Sequence, residues 1–294
     1  MLRRLALLLI GVLLVAVLPQ CTREPQAPVT ELPIAGAEVE PTHRADVPPL
    51  KLLAQPRALR TLEGQTSYPS AALFSPDGQR VLTGSDDQSA RLWDADPSSQ
   101  TYGKLLRTLV AHTGSVSVAS FSPDGWRVLT GSNDNTARLW NADPQSATFG
   151  QELPGLDVGE RGPVLAASFS PDGRRLLTGP GDNTARLWDA DPHSPRYGTL
   201  LCTLTGHTGW VRAASFSPDG RWMLTAADDG SVRLWNADSQ SATFGSEISG
   251  FYAGQAITAA AFSPDGRRVV VGAGTWDPDP TQSRGEVQIW QVAE

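Results

Sequence analysis

The pentapeptide "FSPDG" at Phe74–Gly78 decides the fold, because the chain repeats it letter for letter. The other copies begin at Phe121, Phe169, Phe216 and Phe262, so successive copies lie 47, 48, 47 and 46 residues apart. Proline presets φ for a tight turn, and glycine supplies the positive φ that ends it. Self-similarity at a fixed period of this length indicates a repeat architecture.

The repeat extends well beyond the pentapeptide. In the first four copies a tryptophan follows the phenylalanine by 19 residues, and in the fifth copy the gap is 28 residues and ends at Trp290. In the second copy, β-rich stretches bounded by turn residues predict strands over 116–122, 127–131 and 136–140, with a fourth after a longer connection. Each FSPDG therefore closes the first hairpin of a predicted four-stranded sheet.

A single sheet of this kind, apolar on both faces, is not stable alone in water. Radial stacking of similar sheets buries both faces of each one, which is how a β-propeller is built. The sequence therefore predicts an all-β fold, a β-propeller of five four-stranded blades over residues 57–294.

These motifs resemble those of the WD-repeat family of β-propellers. Each of the first four copies ends in Leu-Trp followed by Asp or Asn, and the family's Gly-His pair is best matched by Gly206-His207 and by Ala111-His112. A turn aspartate precedes the tryptophan by six residues at Asp87, Asp134, Asp182 and Asp229. TolB-type propellers share the SPDG turn but lack the "ARLW-D" strand, and are the second choice.

The resemblance implies a structural tetrad, in which a histidine, a strand threonine, the turn aspartate and the tryptophan are hydrogen-bonded in a chain. The matching positions are His112, Thr130, Asp134 and Trp140 in copy two, and His207, Thr225, Asp229 and Trp235 in copy four. Copies one and three have Gln65 and Glu160 in place of the histidine, and copy five has Arg284 in place of the aspartate. A full tetrad is therefore expected only in copies two and four.

The two ends of the repeat region indicate how the ring would close. The fifth copy ends at its third strand, whereas "LRTLEG" at 59–64 matches the outer strand that precedes copy two, "LRTLVAH" at 106–112. We therefore predict that the N-terminal strand completes the last blade and removes its exposed edge. This would give a closed, monomeric propeller. An open arc and a ring completed by another chain are the alternatives.

The N-terminus has the pattern of an export signal. Arg3 and Arg4 precede an apolar run from Leu5 to Leu18, which is short for a spanning helix. The sequence ending at Cys21 resembles a bacterial lipobox, although Gln20 replaces the usual small residue. Residues 1–20 are predicted to be a signal peptide or membrane anchor, with Cys21 as a candidate lipidation site. An uncleaved signal-anchor and plain secretion remain alternatives.

The segment 21–56 is rich in Pro, Glu and Ala and has no apolar period, which predicts a flexible linker or, alternatively, an interaction tail. The protein is thus expected to be exported and held at the membrane of a bacterial cell envelope, on its periplasmic or extracellular face. If Cys21 carries a lipid, the second cysteine, Cys202, is expected to be a small buried apolar residue.

The sequence offers no recognisable catalytic set. The net charge of -7 argues against a nucleic-acid partner. His112 and His207 fall on tetrad positions, which favours a structural role over metal ligation, and no cysteine cluster or phosphate-binding glycine loop appears. We therefore predict no catalytic residue, no cofactor and no metal.

Two further sets of residues repeat with the blades. The aromatic residues after the third strands are interpreted as loop anchors, or alternatively as a ring that receives a partner; they are Tyr102, Phe149, Tyr197 and Phe244. The arginines that precede each tryptophan by two are interpreted as cation–π partners between blades or as turn partners; they are Arg91, Arg138, Arg186 and Arg233.

The candidate partner-binding residues lie where the repeat is broken. Copy five has an insertion that contains Trp276, Asp277, Asp279 and Arg284, and copy four has Trp210 where other copies have Ser115 or Pro163. Both features are predicted on one side of the propeller, and Trp and Arg are common in binding hot spots. The alternative is a solvated loop with Trp276 folded onto its blade.

The function predicted from these features is a non-catalytic scaffold that binds a protein or peptide partner at the cell envelope. A propeller hydrolase or lactonase with a metal in the central channel is the alternative from another class. It would need acidic residues converging from several blades, and none is evident. A purely structural element is the third possibility.

Overall fold

The computed structural model describes residues 58–154, 158–275 and 284–294. All regular secondary structure there is β, in five antiparallel sheets that we call blades 1 to 5. Blade 1 contains β1 (Pro69–Phe74), β2 (Arg80–Ser85), β3 (Ser89–Asp94) and β4 (Leu105–Val110). Blade 2 contains β5 (Val116–Phe121), β6 (Arg127–Ser132), β7 (Thr136–Asn141) and the short β8 (Val158–Gly159).

The remaining blades follow the same order, each strand pairing with the next. Blade 3 contains β9 (Val164–Phe169), β10 (Arg175–Pro180), β11 (Thr184–Asp189) and β12 (Leu200–Thr205). Blade 4 contains β13 (Val211–Phe216), β14 (Trp222–Ala227), β15 (Ser231–Asn236) and β16 (Glu247–Tyr252). Blade 5 has three described strands, β17 (Ile257–Phe262), β18 (Arg268–Thr275) and β19 (Arg284–Gln291).

The FSPDG turn is held by its own side chains, which explains why the pentapeptide recurs. In blade 2 the Ser122 hydroxyl accepts a hydrogen bond from the Arg127 N–H at 2.9 Å and donates to Asp124 at 2.5 Å. The Asp124 carboxylate also accepts from the Trp126 N–H at 2.9 Å. Gly125 has φ 74°, a conformation that suits glycine because it has no Cβ. The serine, aspartate and glycine of the turn thus each have a local role.

The hydrophobic core lies between the blades. Leu82, Ala90 and Leu92 on one face of blade 1 pack in a single cluster with Phe121 and Trp140 of blade 2. Equivalent clusters join blades 2 and 3, 3 and 4, and 4 and 5. The first strands of these neighbouring blades contact one another, so β5, β9, β13 and β17 line the inner side of an arc. Each blade therefore buries its faces against its neighbours.

One arginine at the start of the second strand connects a blade to the next. Arg127 of blade 2 lies over the Phe169 ring of blade 3, 5.2 Å from its centroid, and donates to the Ala190 and Gly173 carbonyls at 2.7 and 2.6 Å. Arg80 and Arg175 make the same contacts with blades 2 and 4. We call Arg80, Arg127 and Arg175 the junction arginines. Blade 4 has Trp222 at this position.

The ring closure predicted from the sequence is not seen. Among the described residues, no strand pairs with the free side of β19, and 59–64 contains no strand. This segment contacts blade 1: Arg60 donates to the Tyr102 carbonyl at 3.2 Å, and Gly64 is next to the Trp93 ring. Blades 1 and 5 do not pack together as neighbouring blades do. The predicted completion of the last blade by the N-terminal strand is therefore not seen among the described residues.

The predictions for the N-terminal region lie outside the described residues, namely the signal or anchor at 1–20, the linker at 21–56 and the lipidation of Cys21. No helix in the part of the chain that the structure describes is long and apolar enough to cross a bilayer. Cys202 is buried in the core, as predicted, but it is disulfide-bonded and not simply a small apolar residue.

Candidate functional site

The four predicted tetrad residues of blade 2 form one hydrogen-bonded chain. The Trp140 Nε1–H donates to the Thr130 hydroxyl at 2.8 Å, and that hydroxyl lies 2.7 Å from the His112 Nε2. His112 Nδ1 lies 2.9 Å from the Asp134 carboxylate. All four groups are satisfied when Nδ1 carries the proton and Nε2 accepts from the threonine. This chain of hydrogen bonds connects the turn between the second and third strands to the centre of the blade.

Blade 4 repeats this arrangement with one longer contact. The Trp235 Nε1–H and the His207 Nε2 lie 2.8 and 2.7 Å from the Thr225 hydroxyl. His207 Nδ1 is 2.9 Å from the Ser231 hydroxyl and 3.4 Å from the Asp229 carboxylate. Burial alone would raise the pKa of Asp229, but hydrogen bonds from Ser231 and Thr208 outweigh it and lower that pKa to about 2.

Blades 1 and 3 build a similar chain without a histidine. In blade 1 the Gln65 amide donates to the Thr83 hydroxyl, and its oxygen accepts from Arg91 at 2.7 Å, while Arg91 pairs with Asp87 at 2.8 Å. In blade 3 the Glu160 carboxylate accepts from Thr178 at 2.6 Å and pairs with Arg186, which also pairs with Asp182. An arginine thus extends the chain to the turn aspartate. The sequence analysis identified Gln65 and Glu160 at the histidine position, but it did not predict that an arginine would link them to the turn aspartate.

Burial shifts the pKa of these central groups in opposite directions. It lowers the pKa of His112 and His207 below the ordinary value of 6.5, against the partly compensating effect of Asp134 and Asp229. It raises the pKa of Glu160 above 4.5, against the effect of Thr178 and Arg186. Burial therefore disfavours the charged forms of His112, His207 and Glu160.

These shifts predict how the two histidines affect stability against pH. Because their folded pKa lies below 6.5, the unfolded chain takes up protons first, and their contribution is full above pH 6.5 and is lost as the pH falls. The double variant His112→Gln/His207→Gln introduces the residue type that blade 1 has at this position, and it should lose stability less than wild type between about pH 7 and 5.5. Urea unfolding at several pH values measures this difference.

The matched control is His193→Gln, which changes the exposed histidine of a loop. Its loss of stability with falling pH should equal that of wild type. Because Glu160 contributes in the opposite sense as the pH rises above 4.5, only the difference between variant and wild type is interpreted. An unchanged pH dependence in the double variant would contradict a role of the two histidines.

A second, exposed group of residues lies on one side of the arc. We call this side the upper surface; it consists of the residues just before each first strand and of the turns between second and third strands. Backbone hydrogen bonds join the two parts in every blade, for example from the Asp228 N–H to the Trp210 carbonyl at 3.0 Å. Surface groups here are therefore held on a rigid frame.

Trp210 is an exposed aromatic residue of the upper surface that contacts a fixed arginine. Its side chain is 44% exposed, and the Arg212 guanidinium lies over its ring, 5.2 Å from the centroid. Arg212 is fixed by a bidentate pair with Asp228, with both N–O distances at 2.8 Å. An aromatic ring held this way loses little conformational freedom when it binds a partner. The group offers an apolar face beside a charged pair.

Sequence reasoning missed one residue of the upper surface, Tyr68. It occupies in blade 1 the position that Trp210 occupies in blade 4, as shown by the Asp86 N–H donating to its carbonyl at 3.1 Å. The Tyr68 ring is 81% exposed. Aligning the residues before each first strand would have found it.

The remaining predicted binding residues are only partly placed. Trp276, Asp277 and Asp279 lie outside the described residues, and the side chain of Arg284 is not described. The strands around this insertion, β18 and β19, are each eight residues long and continue their pairing to Thr275 and Arg284. They extend on the side of the 2–3 turns, so the insertion begins and ends at the upper surface.

A comparison with known families places this architecture. The signature described as "WD domain, G-beta repeat" matches residues 56–94, 103–141, 155–189 and 198–236, which together make up just over half of the chain. The chain belongs to the WD40 family. No curated protein matches it in a sequence comparison. WD40 repeats generally mediate protein–protein interaction as scaffolds, and the family is typically non-catalytic.

The four WD40 matches cover segments of blades 1 to 4. Blade 5 departs from the pattern, with Gln288 in place of the arginine and Val271 in place of the tetrad threonine. Its Trp290 donates to the Gln288 side chain at 2.8 Å and stacks on Phe251 of blade 4, with centroids 4.2 Å apart. The fifth repeat thus keeps the WD40 tryptophan with different partners.

The repeated arginines of the third strands are turn partners in blades 1 and 3, where Arg91 and Arg186 pair with the turn aspartates, and among the described residues none of them makes the alternative cation–π contact. Arg138 pairs with Glu152 at 2.8 Å, and Arg233 pairs with Glu247 in the same way within blade 4. Phe149 and Phe244 are buried, consistent with loop anchors, and the Arg107 guanidinium lies over the Phe149 ring at 4.7 Å. Cation–π contacts between blades come from the junction arginines instead.

Among the described residues, no group of three or more His, Cys, Asp or Glu side chains is arranged to hold a metal ion.

Proposed function

We propose that this WD40 protein is a non-catalytic scaffold that recruits a protein or peptide partner at the cell envelope through its upper surface. The observation that carries the proposal is the Trp210–Arg212–Asp228 group. In it, the Arg212 guanidinium packs on the exposed Trp210 ring and is held by the Asp228 carboxylate. Such rigid aromatic and arginine anchors account for much of the binding energy of protein interfaces. Tyr68, and Trp276 with Asp277, Asp279 and Arg284, would extend the same surface.

The N-terminal segment supplies the proposed location. Arg3, Arg4 and the apolar run from Leu5 to Leu18 would direct export, and a lipid on Cys21 would hold the domain at the membrane through the linker. Cys202 is the only other cysteine of the sequence. A lipid attached to the Cys21 sulfur excludes a disulfide between these two residues. The mass of the N-terminal peptide therefore distinguishes the two states.

One capture experiment tests both parts. The full chain, with a C-terminal tag, is crosslinked in cells, purified from membranes and analysed by mass spectrometry. We expect Trp210→Ala to lower recovery of the crosslinked partner by about tenfold, since a hot-spot truncation costs at least about 1–2 kcal/mol. Cys21→Ser should remove the lipid from the N-terminal peptide and release the chain from the membrane fraction.

The matched control is Trp126→Ala, which removes a tryptophan that is 53% exposed in the FSPDG hairpin of blade 2, away from the upper surface. Recovery with this variant should equal that of wild type. Equal recovery with Trp210→Ala and Trp126→Ala would reject the upper surface as the binding site. An unmodified Cys21 peptide would reject the lipid anchor.

A further inference from the structure

The last blade presents an apolar face that no described residue covers. Val287 and Ile289 are 75% and 72% exposed, and Val270 beside them is 41% exposed. The residues at the same repeat positions in blade 1 are Ala90, Leu92 and Leu82, which are at most 1% exposed because blade 2 packs on them. Blade 5 therefore has the outgoing face of an inter-blade junction without the following blade.

The first blade presents the opposite half of such a junction. Phe74 is 66% exposed, whereas Phe121, Phe169 and Phe216 at the same position are at most 8% exposed. In blades 2 to 4 this ring is covered by the junction arginine of the preceding blade. Blade 1 has no preceding blade among the described residues, so its incoming face is left open.

The polar contacts of the two open faces are also complementary. Arg268 of blade 5 occupies the repeat position of the junction arginines, and its side chain is 56% exposed. The groups that a junction arginine contacts are a phenylalanine ring and the carbonyls of a glycine and an alanine in the next blade. Blade 1 supplies the equivalent groups at Phe74, Gly78 and Ala95. One more junction of the same kind can therefore form between the two faces.

The N-terminal segment indicates how an outer strand would be supplied. Arg107 in the outer strand of blade 1 lies over the Phe149 ring and donates to its carbonyl at 3.1 Å. Arg60 makes the same two contacts with Tyr102 of blade 1. Residues 59–64 thus occupy the place of the outer strand of a blade that would precede blade 1. Blade 5, in turn, has three described strands and lacks that outer strand.

We propose that two copies of this chain join head to tail, with blade 1 of one copy packed on blade 5 of the other. Residues 59–64 of the first copy would then lie beside β19 of the second and complete its fourth strand. A second copy is the favoured occupant because each open face matches the other in side chains, in arginine contacts and in the missing strand, while within one chain the two faces do not pack together. This association is an alternative to the closed monomer predicted from the sequence.

Co-purification of two differently tagged full-length copies, co-expressed and extracted in detergent, tests the proposal. We expect wild-type copies to recover one another. Phe74→Asp in both copies, or Ile289→Asp in both copies, should lower recovery by at least about tenfold, because a buried charge at a junction costs more than about 1.4 kcal/mol. A Phe74→Asp copy paired with an Ile289→Asp copy should restore recovery, since one intact junction remains.

The control is Val110→Asp in both copies, which places the same charge on a side chain that is 71% exposed in the outer strand β4. It should be recovered like wild type. Complementation also shows that each variant is folded, because an unfolded copy would not restore recovery. Failure of wild-type copies to recover one another, or equal recovery for all pairs, would overturn the proposal.

Discussion

Arg127→Ala is expected to lower the free energy of unfolding by about 3 kcal/mol, since it removes two hydrogen bonds and a cation–π contact and leaves carbonyls unsatisfied. The Arg127 guanidinium donates to Ala190 and Gly173 at 2.7 and 2.6 Å and lies over the Phe169 ring. All three partners belong to the next blade, so the loss falls on the junction between blades 2 and 3. Phe169 is 8% exposed in the native protein and would become more accessible to water.

Urea unfolding monitored by circular dichroism measures this effect. Arg174→Ala is the matched control, because this neighbouring arginine is 70% exposed and makes only a surface ion pair with Asp191 at 3.6 Å. Such pairs are worth at most about 1 kcal/mol, so the control should remain close to wild type. Arg127→Met keeps most of the apolar stem, and its smaller loss would isolate the polar contacts. If Arg127→Ala and Arg174→Ala unfold at the same urea concentration, the junction arginine does not stabilise the fold.

Thr130→Val should cost about 2–4 kcal/mol, although the two side chains have nearly the same shape. The Thr130 hydroxyl is completely buried and accepts from the Trp140 Nε1–H at 2.8 Å. It also lies 2.7 Å from the His112 Nε2. Valine would leave both nitrogens buried without a partner, and the cost of an unsatisfied buried group exceeds the net gain from a normal hydrogen bond.

Two further variants separate the hydroxyl from other effects. Thr130→Ser keeps the hydroxyl and removes one methyl group, so its cost should be only about 1 kcal/mol. Thr113→Val makes the chemical change of Thr130→Val at an exposed position beside the same tetrad, and should leave stability unchanged. A smaller loss for Thr130→Val than for Thr130→Ser would show that packing, and not the hydrogen-bonded chain, governs this position.

Local features of the fold were predictable because they depend on local residues. The second-copy strands predicted at 116–122, 127–131 and 136–140 agree with β5, β6 and β7 within one residue at each end. The turn glycines and strand alternation determine these bounds without reference to other blades. The open arc was not predictable in this way, because the angle between blades depends on side-chain packing across each junction. The similarity of 59–64 to an outer strand is reflected in the contacts of Arg60 with Tyr102, although the described residues show no strand there.

The candidate sites show the same division. His112 and His207 could be assigned from the motif, since their partners lie at fixed spacing in the same copy. The contacts of Gln65 and Glu160 with an arginine could not be assigned from the sequence. An arginine stands at the same position in the blades that have a histidine, so its presence does not indicate this contact. Trp210 was identified as an interruption of the repeat, but its contact with Arg212 depends on the fold.

The junction arginines have a consequence for the evolution of this chain. Blades 1 to 3 have the arginine on one side, and blades 2 to 4 have the phenylalanine with its two carbonyls on the other, so these units match in one order only. An in-frame duplication of one unit would therefore create a junction that already fits, without a compensating substitution. Gain or loss of a whole unit would thus change the length of the array and preserve its polarity.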